Sequence, residues 1–522
     1  HSILRELLIQ KRGERGPAFE RQCRLRAGDY CREEGQTSRA LGFYIQIRDY
    51  ERMLSLDLSH MTLETINGVP FAELALDIAQ NCPAEIKKKY ILNMLRITWA
   101  LYMAGMNEQF EILMEELHTM PELLENSDLL REWLLLSSYR SFPDLVKMKA
   151  ILRQAAPLFK NQCSQVILPT VPWCFGNISP LGEFHVEPGE AEREAKALEE
   201  YIAIYSKLTN GHGSGADVLF RAELAYHRGG INEAEILSYK AVFLAESNWQ
   251  NIVQFGATLY LADVALNKMD TAGWQNTIVS MERVASFSSE DTFVSRGVLD
   301  IVRGVLLNEL QDQTSIADWL KRTDFDGQRL LAPMTNNAIF VHLSFLMHQG
   351  EYARVIGIGS AILESGSRPN PFQEALLMLI MAVSCKAMDN HTKACEMVNR
   401  VAELLLPDGL IFPLVAYSWR LGEMVNEMIE QEYPQFVEVY QTVRERFGMG
   451  WTTLNEAVCR GELPADLTAR EYEVAKLAAE GLRNSEIAEK LVITESTVRA
   501  HLRVIFQKLQ IDRRTRLAEK LK

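Results

Sequence analysis

The sequence offers little to support membrane insertion, secretion or metal chemistry. Its longest uncharged apolar run, "ALLMLIMAVSC", is 11 residues between Glu374 and Lys386. A bilayer span needs about 20, so the run reads as a buried helix, and no membrane association is expected. The eight cysteines are scattered without a C-x-x-C, the pattern of buried thiols in a reducing cytoplasm. Nor do the ten histidines cluster: His342 and His348 are six apart, off a common helical face, and H-E-x-x-H is absent. No metal site is expected. No Ser/His/Asp or Cys/His arrangement is legible, which argues against an enzyme. The phosphate loop G-x-x-x-x-G-K-[ST] is missing. "TNGHGSG" (209–215) imitates a phosphate cradle but has no strand before it, so it reads as a flexible connection. The opening "HSILRELLIQKRGER" has neither an initiating Met nor an apolar leader, and reads as part of something longer.

Charge is present, and it is segregated. The chain holds 55 basic and 69 acidic residues, a formal charge of −14. Residues 467–522 hold 12 of the basic and 8 of the acidic ones, which leaves 43 against 61 for the rest. From Ser496 onward there are 8 basic and 2 acidic residues. A chain divided in this way meets a polyanion at one end only.

Strand signals are weak from 19 to 447, and helical periodicity runs throughout. An apolar helix, a Gly/Asn/Asp turn and an Ala-bearing helix recur at 222–235, 261–274, 302–319, 342–355 and 379–396, with weaker copies at 31–44 and 100–113. The turns fall near 230, 270, 311, 350 and 390, a period of about 40 residues, which predicts stacked helical hairpins. Ala222, Ala225 and Ala234 let paired helices approach, and Gly230 and Gly350 are expected to take the positive φ that ends the first helix. The pattern resembles tetratricopeptide (TPR) repeats in a long variant; an irregular helical bundle is the alternative. The expected domains are a remnant or linker at 1–18, a helical-repeat sensor at 19–446, a linker at 447–463 and a small domain at 464–522.

One segment breaks the rhythm. "LPTVPWCFGNISPLGEFHVEPG" (168–189) has four prolines and three glycines, and reads as a long ordered loop. Either it is an interrupted repeat, or its exposed-looking Trp173, Phe175, Phe184 and His185 line a ligand or partner site.

The tail parses helix by helix. Thr468 and Glu471 form a capping box, and Gly481 ends the first helix. Asn484 or Ser485 caps a short second helix with Ile487, Ala488 and Leu491 on one face. Thr494 caps a third, and Asp512 a fourth. In the third helix Val498, Leu502, Ile505 and Leu509 make one buried stripe, leaving Ser496, Arg499, Ala500, Arg503 and Gln507 opposite. A helix pinned inward by aliphatics and presenting two arginines outward suits the major groove. Arg499 and Arg503 are the expected base readers, and Ala500 either leaves room for them or meets a thymine methyl. Asn484, Ser496, Thr497, Lys508, Arg513, Arg514 and Arg516 are the expected phosphate contacts.

The stretch "LTAREYEVAKLAAEGLRNSEIAEKLVITESTVRAHLRVIFQKLQIDRRT" closely resembles the LuxR-type DNA-binding domain, departing at Thr494 (usually Ser), Arg499 (usually Lys) and Gln510 (often Gly). The resemblance implies a four-helix helix-turn-helix domain that binds double-stranded promoter DNA, usually as a dimer, and activates transcription by contacting RNA polymerase. With a helical-repeat body, the chain resembles the large MalT-like branch, whose members precede the sensor with a nucleotide-binding switch domain. "HSILRELLIQKR" is similar to the end of that domain, so ATP is expected only in the part not present, with no cofactor in this chain. The whole is read as an all-α, cytoplasmic, ligand-responsive transcription activator with an unidentified small-molecule or protein effector. The alternative is a protein-binding scaffold tethered to DNA.

Overall fold

The computed structural model describes residues 15–287, 292–310, 315–322, 325, 330–365, 370–459, 469–479, 481–491, 494–508, 511 and 513–517. The all-α expectation holds: the described residues are overwhelmingly helical, and the strands among them are the two-residue pair Thr65–Ile66 and Val69–Pro70. Between these strands lie Asn67 and Gly68, both at positive φ, the Asn-Gly signal of a tight hairpin turn. The chain divides into two compact units, 1–171 with 203–212, and 172–202 with 213–522.

The first unit contains the two weak repeat copies as helical hairpins. Pro17–Glu33 pairs with Thr37–Ile45, and Ile91–Met103 with Asn107–His118. Gly35 and Gly105 take the left-handed conformation between them. Residues 1–14 of the expected remnant lie outside the described residues.

In the second unit the repeat is explicit. First helices run Ala216–His227, Asn251–Asn267, Thr292–Glu309, Ala332–His348, Pro371–Ala387 and Phe412–Leu421, starting roughly 40 residues apart. Their partners include Ile231–Glu246, Thr271–Phe287, Tyr352–Glu364 and His391–Leu405. The turns use one left-handed residue each: Gly229 rather than the expected Gly230, then Met269, Gly350 and Asp389. Gly230 has φ −79° and serves as the cap of the next helix. The turn expected near 311 lies outside the described residues.

Each first helix packs on the first helix of the next pair, and the sixth returns to the first, so the row closes into a ring. Tyr226 and Phe412 meet across this closure with ring centroids 4.4 Å apart. Burial on every side explains why Asn251–Asn267 is apolar around most of its circumference, with even Thr258, Asp263 and Asn267 buried.

The stretch expected as a linker is a correction. Val437–Cys459 is one continuous helix that packs on the second and sixth first-helices. Phe447, Leu454 and Ala457 are buried, and Trp451 Nε1 donates to the Glu309 carbonyl at 2.7 Å. Gly450 marks close helix contact rather than flexibility, since a Cβ there would collide with the Leu266 carbonyl oxygen, whereas Gly448 is exposed on the open side of the helix. Residues 460–468 lie outside the described residues.

Candidate functional site

The tail supplies one site. Ala469–Ala479, Asn484–Leu491 and Glu495–Lys508 enclose a core of Val474, Ala475, Leu477, Ala478, Ile487, Ala488, Val498, Leu502, Ile505, Ile511 and Leu517. Gly481, at φ +91°, closes the first helix: its N–H reaches Ala478 O at 3.2 Å, and Leu482 N–H reaches Leu477 O at 3.1 Å. The second helix is capped one residue earlier than expected. Arg483 N–H donates to the Glu486 carboxylate at 2.6 Å, the returning half of a capping box. Thr494 caps the third helix, its Oγ1 accepting Thr497 N–H at 3.2 Å and lying 2.7 Å from both Ser496 Oγ and Thr497 Oγ1. Thr468, Leu509, Gln510, Asp512 and the side chains of Glu471, Gln507 and Lys508 lie outside the described residues.

On Glu495–Lys508 the buried stripe leaves Ser496, Arg499, Ala500 and Arg503 exposed, with Thr497 half-buried. Arg499 holds Glu495 one turn back at 2.8 Å, an exposed pair of small worth that nucleic acid can displace. Arg503 has no ion-pair partner among the described residues. Arg513 and Arg516 are exposed beyond the helix.

Arg514 departs from its expected role. It turns inward, Nη1 donating to Asn484 Oδ1 at 2.8 Å, Nε to Ala478 O at 3.3 Å and Nη2 to Leu482 O. A planar group with five donors suits this position, because it satisfies carbonyls at the end of the first helix and fixes the second helix against it. Asn484, expected on phosphate, is thereby engaged inside the domain.

A second site is not legible in the sequence. The ring of first helices surrounds a cavity of about 270 Å³. Asn177, Ile178, Ser179 and Gly182 of the irregular segment reach into it. The segment is firmly held. Leu181 N–H donates to Glu223 at 2.7 Å and Asn370 Nδ2 to Leu181 O at 3.1 Å. Asp408 accepts from Gly189 N at 2.6 Å and Ala191 N at 2.9 Å. Gly256 gives the segment room, since a Cβ there would collide with the Ile178 carbonyl oxygen.

The four residues expected to meet a ligand do not line this cavity. Trp173, Phe184 and His185 are buried and Phe175 is half-buried. Trp173 packs on Phe184 and against Gly213, and His185 Nδ1 lies 2.7 Å from Glu194. Their aromatic character anchors the segment from within, while its smaller polar residues face the cavity.

Burial governs protonation around the cavity. It holds His227 neutral, with a pKa near 3, and pushes Glu223 up to about 8. Asp263 and Glu309 both line the cavity, are linked by a hydrogen bond, and are both raised by burial, Asp263 also by the neighbouring carboxyl. Among the described residues no group of three or more His, Cys, Asp or Glu is placed to hold a metal. No helix among them is long and apolar enough to cross a membrane.

Residues 465–521 match the family of bacterial regulatory proteins, luxR family. The tail is thus a LuxR-type helix-turn-helix domain, homologous to the DNA-binding part of transcription regulators. Among similar proteins, the transcriptional regulatory protein YxjL of Bacillus subtilis is 50% identical over 54 residues, 10% of this chain and 25% of that protein. The monoamine regulon transcriptional regulator of Klebsiella aerogenes is 46% identical over 59 residues, 11% of this chain and 26% of the relative. The HTH-type transcriptional regulator AlkS of Alcanivorax borkumensis is 42% identical over 50 residues, 10% of this chain but 6% of that longer protein. The chain spans about a quarter of the length of the first two relatives. No solved structure matches it.

Proposed function

We propose that the chain is an effector-responsive transcription regulator of the large MalT-like kind: TPR-like helical pairs receive a small molecule, and the tail reads promoter DNA. One observation carries this reading. A LuxR-type tail sits on the same chain as a ring of helical pairs around a cavity lined by buried acids and aromatics. Such a pocket, mostly apolar with a few convergent polar groups, is the usual form of a small-molecule site. On DNA, Arg499 and Arg503 read base edges and Ala500 meets a thymine methyl. Ser496, Thr497, Lys508, Arg513 and Arg516 hold phosphates, with the helix N-terminus assisting. The protein acts in the cytoplasm as a dimer on two half-sites and activates by contacting RNA polymerase. A nucleotide-binding switch belongs to a part outside this sequence, and no cofactor is needed here.

The test is quantitative DNA selection by the full chain, followed by affinity for the selected site with and without a metabolite extract. Selective, salt-dependent binding that shifts with the extract is expected. Binding that is indifferent to DNA sequence would remove the promoter-reading role. A second reading, a protein-binding scaffold, has its own observation. Ile236, Tyr239 and Phe243 form an exposed apolar stripe on Ile231–Glu246, continued by Trp249. Replacing Phe243 by Asp would abolish partner capture under that reading and leave an effector response untouched.

A further inference from the structure

Asp263 and Glu309 come from the first helices of the second and third pairs and face each other across the cavity wall. Two carboxyl groups placed together away from water need either a shared proton or a cation. Among the described residues neither forms an ion pair. The basic side chain lining the same cavity, Arg420, lies instead over the Trp419 ring at 4.3 Å. The Asp263 Oδ1 atom is buried with no hydrogen-bond partner.

Asn308 adds an independent observation. It is 6% exposed and lines the cavity; its Nδ2 donates to Val341 O at 3.1 Å, and its Oδ1 has no partner. A buried amide oxygen left unsatisfied costs about 1–3 kcal/mol, so it marks a place where a donor belongs. The neighbourhood therefore offers acceptors without matching donors. Its other walls are aromatic, including Tyr226, Tyr260, Phe412 and Tyr417.

We propose that the cavity binds a small organic ammonium ion, its three N–H donors shared among Asp263, Glu309 and Asn308 Oδ1 and its apolar body held by the aromatic walls. The inference rests on the reading of this cavity as the effector site and names the chemistry of the effector. An ammonium group is donor-only with three donors, which matches an acceptor-only end, and aromatic faces attract cations.

Binding is linked to protons. In the empty cavity the acid pair retains a proton, because burial and mutual repulsion disfavour two charges. A bound ammonium replaces that proton, which is released to solvent, so affinity rises as the pH rises through neutrality. The other titratable groups facing the pair do not change charge there. Tyr226, Tyr260 and Tyr417 are raised by burial, His227 and His348 are held neutral, and Arg420 remains cationic. Glu223, at about 8, adjoins Tyr260, and Glu183, at about 7, accepts from the cavity-lining Asn177; these two supply the competing titrations. Glu223→Gln and Glu183→Gln remove them.

The experiment is calorimetry on the full chain with 2-phenylethylammonium and other primary ammonium compounds at millimolar concentration, against neutral 2-phenylethanol and a panel of sugars. It is run in buffers of different ionisation enthalpy. Ammonium binding with proton release is expected, weakened at least about tenfold by Asp263→Asn and by Glu309→Gln, and keeping its pH dependence in Glu223→Gln and in Glu183→Gln. Both isosteric variants remove repulsion from the apo protein, so a melting temperature equal to or above the parent's confirms that they fold. Binding of the alcohol or the sugars as tight as that of the ammonium compounds would overturn the ammonium assignment and keep the cavity as an effector site. Binding of none of the compounds would overturn both. DNA binding measured on the same samples shows that the protein is otherwise active.

Discussion

Arg503 and Arg514 lie eleven residues apart in the same basic stretch, and their surroundings give them opposite roles. Arg503 is exposed on the outer face of the third tail helix. Changing it to Ala is expected to cost roughly 1–3 kcal/mol on the selected DNA site and to relax preference at one base pair, measured by competition with single-base variants. Arg514 satisfies two carbonyls and Asn484 inside the domain. Arg514→Ala is expected to destabilise the tail by about 1–3 kcal/mol and to weaken all DNA sequences alike, read as earlier loss of helix signal from the tail on heating. Glu223 shows the same dependence on surroundings through pH. Burial raises it to about 8 from the ordinary glutamate value of 4.5. The native state then keeps a proton that the unfolded chain releases, so this contribution to stability is full below about 4.5 and is lost as the pH rises toward 8. Glu223→Gln should flatten that decline, with stability gained on the alkaline side, measured by denaturant titration across the range.

At the scale of elements, what is legible in the sequence follows periodicity. The recognition helix can be read because Val498, Leu502 and Ile505 repeat on one face of a helix that is otherwise polar. The hairpin period can be read because its turns recur, although the left-handed position shifts from Gly230 to Gly229, and Met269 and Asp389 fill it elsewhere. The cavity cannot, since each first helix contributes only a turn or two and Asn251–Asn267 is buried nearly all round, which erases any one-sided pattern. A usable signal is Asp263 and Glu309 standing in apolar runs just before turns. The segment 168–189 is legible as an ordered loop, but its aromatics face inward, because large apolar rings gain more from burial than from presentation to solvent. Gly256 sets how far that segment enters. Gly256→Ala would push Ile178 out of the ring, costing about 1–3 kcal/mol. Faster proteolytic cutting within 168–189 is the expected readout.

For the whole molecule, the 437–459 helix changes where the chain can be divided. Composition suggests a linker from 447, yet Phe447 and Leu454 are buried there and Trp451 reaches Glu309. A chain ending at 446 is expected to lose at least about 3 kcal/mol of stability, from the buried side chains removed. A chain ending at 459 should melt like the full-length body. Differential scanning calorimetry on the two truncations checks this.

The clamp of Asp408 on Gly189 and Ala191 fixes an order of events during synthesis. The segment that fills the ring leaves the ribosome more than two hundred residues before the carboxylate that holds it, and before most of the helices that surround it. Contacts so distant along the chain form late and slowly. Until residues near 451 have emerged there is no finished cavity, and the DNA-reading tail is the next thing made. A nascent chain therefore completes its cavity only moments before its LuxR-type tail, which leaves little time for a tail to act on an unfinished body.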